Sequence, residues 1–87
     1  MYKEEVVLNN ETGIHARPAS LLVKEAAKYE SDIKIIKDGK EYNGKSIMGI
    51  ISMGAVKNTK LTIVAEGADE KELVLSIKDL IENKLED

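Results

Sequence analysis

The chain has 87 residues, a formal net charge of -3, no cysteine, no tryptophan and no phenylalanine. That length fits one small domain over residues 1–87, with one modest aliphatic core. It excludes a disulfide framework and a thiolate metal site. Charges of both signs are spread evenly and the aromatics are limited to Tyr2, Tyr29 and Tyr42, so nucleic-acid binding is not expected. No long apolar run suggests a signal peptide or a membrane span, the lack of cysteine is compatible with a reducing cytosol, and a cytoplasmic protein without membrane insertion is expected.

In chain order, Tyr2 to Leu8 reads as a strand, with Val6 and Leu8 on one face and Glu5 and Val7 on the other. Asn9 to Gly13 is a polar turn, and Thr12 is placed to hydrogen-bond locally and hold it. The turn leads into Thr12-Gly13-Ile14-His15-Ala16-Arg17-Pro18-Ala19-Ser20, where the only histidine, arginine and proline of the protein fall within four residues. Gly13 suits a tight bend, and Pro18 suits the first turn of a helix, where its missing N–H removes no helical bond. A helix from Ala16 to Tyr29 follows, with a core stripe of Ala16, Ala19, Leu22, Val23 and Ala26. Lys24 and Lys28 lie a turn apart on its polar face.

His15 therefore stands at a helix start. Unpaired N–H groups and the positive end of the dipole make such a start an anion site, and Arg17 adds a planar fork suited to phosphate oxygens. On residue types alone His15 is either a capping neighbour or a nucleophile that takes a phosphoryl group and passes it on.

Ser31-Asp32 is read as a turn and Ile33 to Lys37 as a strand. Asp38-Gly39 is a two-residue hairpin signal, and Lys40 to Asn43 is the return strand. Ser46 precedes the short apolar run Ile47-Met48-Gly49-Ile50-Ile51-Ser52-Met53, bounded by Gly54, and is a favoured N-cap for one or two helical turns. Such a short surface helix cannot bury every side, so part of Ile47, Met48 and Ile51 is expected to be exposed as a docking patch. Lys57 to Lys60 is a polar link, Lys60 to Glu66 a strand and Gly67-Ala68 a turn. Asp69 with Glu72 three residues on resembles a capping pair. Leu73, Val74, Ile77, Leu80, Ile81 and Leu85 then mark a final core-facing helix.

Two motifs carry a family resemblance: Gly-Ile-His-Ala-Arg-Pro-Ala at 13–19 and Lys45-Ser46-Ile47-Met48-Gly49-Ile50 about thirty residues later. The chain resembles HPr, the histidine-containing phosphocarrier of the bacterial sugar phosphotransferase system, over essentially its whole length. The resemblance implies an α+β, open-faced sandwich. It has a four-stranded antiparallel sheet with three helices on one face, in the order βαββαβα.

The resemblance also implies that His15 accepts a phosphoryl group through Nδ1 from the phosphohistidine of Enzyme I and donates it to the A domains of sugar permeases. The backbone N–H groups of Ala16 and Arg17, and the Arg17 side chain, would stabilise the phosphoryl oxygens. Thr12, Ser20, Lys24, Ile47, Met48 and Ile51 fall on the partner surface. Ile51 replaces a frequent methionine, Met53 the usual leucine, and Ala27 a second lysine found in some members. Ser46 matches a serine modified by HPr kinase/phosphorylase, and its phosphorylated form implies binding to a catabolite control repressor.

A phosphate at that helix start is tolerated by the dipole, while its charge repels an acidic partner. No cofactor is implied in the protein itself: metal and phosphoenolpyruvate belong to Enzyme I, ATP to the kinase. It is a carrier rather than an autonomous enzyme, and a monomer is expected. Some members place a C-terminal acidic group near the arginine; here the region reads Leu85-Glu86-Asp87, and that contact is not carried over. The rival reading is a regulatory corepressor module acting through phospho-Ser46, as in paralogs that lack the histidine.

Overall fold

Strand β1 spans Tyr2–Val7, helix α1 Ala16–Ala26, β2 Asp32–Lys37, β3 Lys40–Asn43, α2 Ile47–Ser52, β4 Lys60–Glu66 and α3 Glu70–Asp79, which runs on into a π-helical turn over Leu80–Lys84. These come from a computed structural model, which describes residues 1–85. The question of an acidic C-terminus near Arg17 turns on Glu86 and Asp87 and lies outside the described residues.

The four strands form one antiparallel sheet in the order β1-β4-β2-β3. Alternation sorts its faces. Val6, Ile33, Ile35, Leu61, Ile63 and Ala65 point to the helices and are buried. Across the other face, the register lines up Glu5, Thr62, Ile36 and Glu41. Helix α3 packs on β1, β4 and β2, α1 packs on α3, and α2 packs on α1 and β3. The helices thus share one face, the α+β open-faced sandwich that the family resemblance implies.

The Asp38-Gly39 hairpin forms as read: both residues have positive φ, 52° and 79°, as a two-residue turn matched to strand twist requires. Leu8 lies one residue past β1. Its N–H still donates to the Thr59 carbonyl at 2.9 Å, and its side chain is buried.

Four expectations are corrected. Helix α1 ends at Ala26 rather than Tyr29, because the N–H groups of Lys28 and Tyr29 turn to Glu25 and Ala26 in a tighter i→i−3 winding. The buried stripe of α1 is Pro18, Ala19, Leu22 and Ala26, while Ala16 is exposed and Val23 half-buried. Ala16 sits about a quarter-turn from the centre of that stripe.

Asp69 occupies the N-cap position of α3 but does not cap it. Its carboxylate accepts from the Glu30 N–H at 3.0 Å, the Ser31 N–H at 2.9 Å and the Ser31 hydroxyl at 2.5 Å. These bonds clamp the α1–β2 turn to the start of α3, and they hold the Asp69 pKa down to about 2, the Ser31 hydroxyl contributing most. The last helix is not α-helical throughout. It widens at Leu80, and Asp79 accepts from Asn83 Nδ2 at 2.8 Å and pairs with Lys84 at 3.1 Å.

Candidate functional site

The loop before α1 is built around a turn from Asn10 to Gly13. The side-chain amide of Asn10, itself only 6% exposed, donates to the Gly13 carbonyl at 2.6 Å, and the Gly13 N–H donates to the Asn10 carbonyl at 3.3 Å. Gly13 has φ +72°, and a Cβ added there would fall 2.5 Å from the Ala55 carbonyl oxygen. Only glycine meets both demands. The next residue, Ile14, is buried and donates its N–H to that same Ala55 carbonyl at 3.0 Å. The loop is thereby bonded to the segment that follows α2.

His15 is the N-cap of α1 by position, in extended conformation (φ −115°, ψ −160°), and its carbonyl accepts the Ala19 N–H at 3.0 Å. Its ring does not cap the helix. Instead Nε2 lies 3.0 Å from Thr12 Oγ1. The first-turn N–H groups of Ala16 and Arg17 have no intrahelical acceptor, and Pro18 has no N–H to offer. The backbone donors at the helix start are therefore those beside the histidine.

Arg17 is exposed, and among the described residues no carboxylate pairs with its guanidinium. Ser20 and Lys24 are also exposed on α1, about one and two turns on from Arg17.

Ser46 is the N-cap of α2: its Oγ accepts the Gly49 N–H at 3.0 Å, and its carbonyl accepts the Ile50 N–H at 3.0 Å. Of the apolar residues that follow, Met48 is 74% exposed and Ile47 41%, Ile51 is half-buried, and Ile50 and Met53 are in the core. The Met53 exchange thus acts on packing and not on the exposed patch.

The structure brings His15 and Thr12 into contact and packs α1 beside α2. Three features escaped the sequence reading. Asn10 and Ala55 shape the loop; an asparagine in a polar turn was the available signal for the first, and nothing local marks the second. Leu21, 41% exposed on α1, and Val56, 62% exposed beside the Gly13 bend, are further exposed apolar side chains. Among the described residues no group of three His, Asp or Glu side chains is placed to hold a metal ion.

A family model described as the PTS HPr component phosphorylation site matches residues 2–83. The chain belongs to the HPr family. An HPr from Thermoanaerobacter tengcongensis is 45% identical, with a TM-score of 0.92 over 97% of this chain and 94% of that one. The phosphocarrier protein HPr of Bacillus anthracis is 38% identical, with a TM-score of 0.89 over 93% of this chain and 96% of that one. Crh, the catabolite repression containing protein of Bacillus subtilis, is 38% identical with a TM-score of 0.79 over 97% of both chains, in a crystal form described as a swapped dimer. HPr proteins are phosphocarriers. The described helices include none long and apolar enough to cross a membrane.

Proposed function

We propose that this HPr-family chain accepts a phosphoryl group on His15 from the phosphohistidine of Enzyme I and donates it to the A domains of sugar permeases, in the cytoplasm and as a monomer. The observation that supports this most is the helix start itself. An exposed imidazole is followed by two backbone N–H groups without helical acceptors and by an Arg17 guanidinium without a carboxylate partner among the described residues.

In the transfer the lone pair of His15 Nδ1 attacks phosphorus, the donor P–N bond breaks, and its electron pair returns to the donor imidazole. No net proton moves, because each ring keeps the proton on its other nitrogen. Ala16 N–H, Arg17 N–H and the guanidinium offset charge on the three phosphoryl oxygens. The exposed Ser20, Lys24, Ile47 and Met48, with the half-buried Ile51, would offer a partner a basic and apolar surface.

The relay is tested with Enzyme I, phosphoenolpyruvate, magnesium and a permease A domain. Label is expected to reach the A domain only when this chain is added, and Arg17→Ala is expected to slow transfer by about 100-fold. Label that stays on Enzyme I in the presence of the folded wild-type chain overturns the relay.

A second reading adds regulation through Ser46. Its position at a helix N-cap, next to the exposed Ile47 and Met48, supports it, as does the likeness to Crh. HPr kinase/phosphorylase with ATP is expected to add an acid-stable phosphate that Ser46→Ala abolishes. The modified form is then offered to a catabolite control repressor. The presence of His15 speaks against a purely regulatory corepressor.

A further inference from the structure

Thr12 touches the one ring that the carrier reading depends on, and that reading leaves the contact unexplained. The geometry points to Thr12 as the positioning residue that selects the nucleophilic nitrogen of His15, an inference that rests on the carrier reading and specifies it. A neutral imidazole has one N–H and one lone pair, and the hydrogen bond made by one nitrogen decides which is which. Thr12 Oγ1 stands 3.0 Å from Nε2. Accepting the Nε2–H there leaves the lone pair on Nδ1.

The opposite tautomer is disfavoured by the fold. Nδ1 is the ring nitrogen closer to the backbone of an N-cap residue, next to the positive end of α1 and its unpaired N–H groups. A proton on Nδ1 would add a donor to a cluster of donors. A lone pair on a ring at the positive end of α1 is the form the helix dipole favours.

The hydroxyl is held in place from both sides. The Asn10–Gly13 turn that contains Thr12 is closed by the 2.6 Å side-chain bond from Asn10, and the neighbouring Glu11 is paired with Lys57 at 2.5 Å. Gly13 and Ile14 are in turn fixed against Ala55. Thr12 therefore presents its oxygen from a braced loop, three residues behind the ring it orients. After transfer the same oxygen accepts from the Nε2–H of the phosphorylated ring, so the contact need not be broken when phosphorus bonds to Nδ1.

The test uses the full chain with 15N-labelled histidine at a pH where the ring is neutral. Two-bond nitrogen–hydrogen couplings read the tautomer without any partner protein. Wild type is expected to carry its proton on Nε2. Thr12→Val is expected to lower the Nε2–H to Nδ1–H ratio about fivefold, the worth of one ordinary hydrogen bond, and Thr12→Ser to restore it.

Phosphoramidate then serves as a donor that needs no docking surface. Wild type is expected to form the Nδ1-phosphohistidine, and Thr12→Val a raised share of the Nε2 isomer. A wild-type proton on Nδ1, or a tautomer ratio and isomer share unchanged in Thr12→Val, overturns the assignment. The expected tautomers together with no transfer from Enzyme I would sink the carrier reading and leave the role of Thr12 standing.

Discussion

Replacing Gly13 by alanine probes the joint between the histidine loop and the segment after α2. Two separate costs arise there, and the structure supplies a control that separates them. Gly39 has φ +79° with nothing within 4 Å of an added Cβ, whereas Gly13 has φ +72° with the Ala55 carbonyl oxygen at 2.5 Å. Gly39→Ala meets only the left-handed backbone penalty, about 1–2 kcal/mol.

Gly13→Ala meets that penalty and also forces the Ala55 carbonyl away. The Ile14 N–H then loses its acceptor, at about 1–3 kcal/mol for a buried donor left unsatisfied. The total of about 2–5 kcal/mol is a large share of the stability of a small domain. At about 4–8 °C per kcal/mol for this size, Gly13→Ala should melt on the order of 10 °C below Gly39→Ala. Thermal unfolding followed by circular dichroism reads the difference. Equal melting temperatures for the two variants would refute the steric part of the argument, and with it the claim that the loop is seated on Ala55.

Other perturbations test other parts of the fold. The pKa of Asp69 is held at about 2 by the Ser31 hydroxyl and the Glu30 N–H, below an ordinary aspartate at about 3.9. The clamp is therefore at full strength above about pH 4 and is lost as pH falls toward about 2. Asp69→Asn should flatten the acid limb of stability in that window, and an unchanged acid slope in urea titrations would contradict the clamp. Ser46→Ala removes the α2 cap and should cost about 1 kcal/mol, while Ser46→Asp, which keeps a cap acceptor, should stay close to wild type. Denaturant midpoints check both. Met48→Ala should change stability by less than about 0.5 kcal/mol because the side chain is exposed. Ile50→Ala, two residues on but fully buried, should cost about 2–5 kcal/mol. If Met48→Ala is as damaging as Ile50→Ala, the docking-patch assignment of α2 is wrong.

Much of this arrangement was legible in the sequence for identifiable reasons. Alternation in Leu61, Ile63 and Ala65 and the Asp38-Gly39 pair specify their strand and hairpin locally, because side-chain period and positive φ depend on nearest neighbours. Ser46 caps its helix as its residue type foretells. What stayed hidden depends on distant partners. Asp69 has the local signature of a cap, yet the α1–β2 turn brings three donors to it and wins the carboxylate. The π-helical turn at Leu80–Lys84 is invisible to a pattern of apolar residues, because Ile81 and Leu85 reach the core all the same. The exposure of Ala16 follows from which side of α1 meets α2 and α3. At the site, the cluster of His15, Arg17 and Pro18 was plain from their rarity. The Thr12 contact was foreseen only as a local hydrogen bond, and the roles of Asn10 and Ala55 needed the folded loop.

The proposed carrier function depends most on His15 being the phosphoryl acceptor. Intact-mass measurement after incubation with Enzyme I, phosphoenolpyruvate and magnesium tests that directly. The carrier reading predicts a gain of one phosphate that brief acid treatment removes and that His15→Ala abolishes while the variant stays folded. No gain with an active Enzyme I, or a gain that survives in His15→Ala, would contradict it.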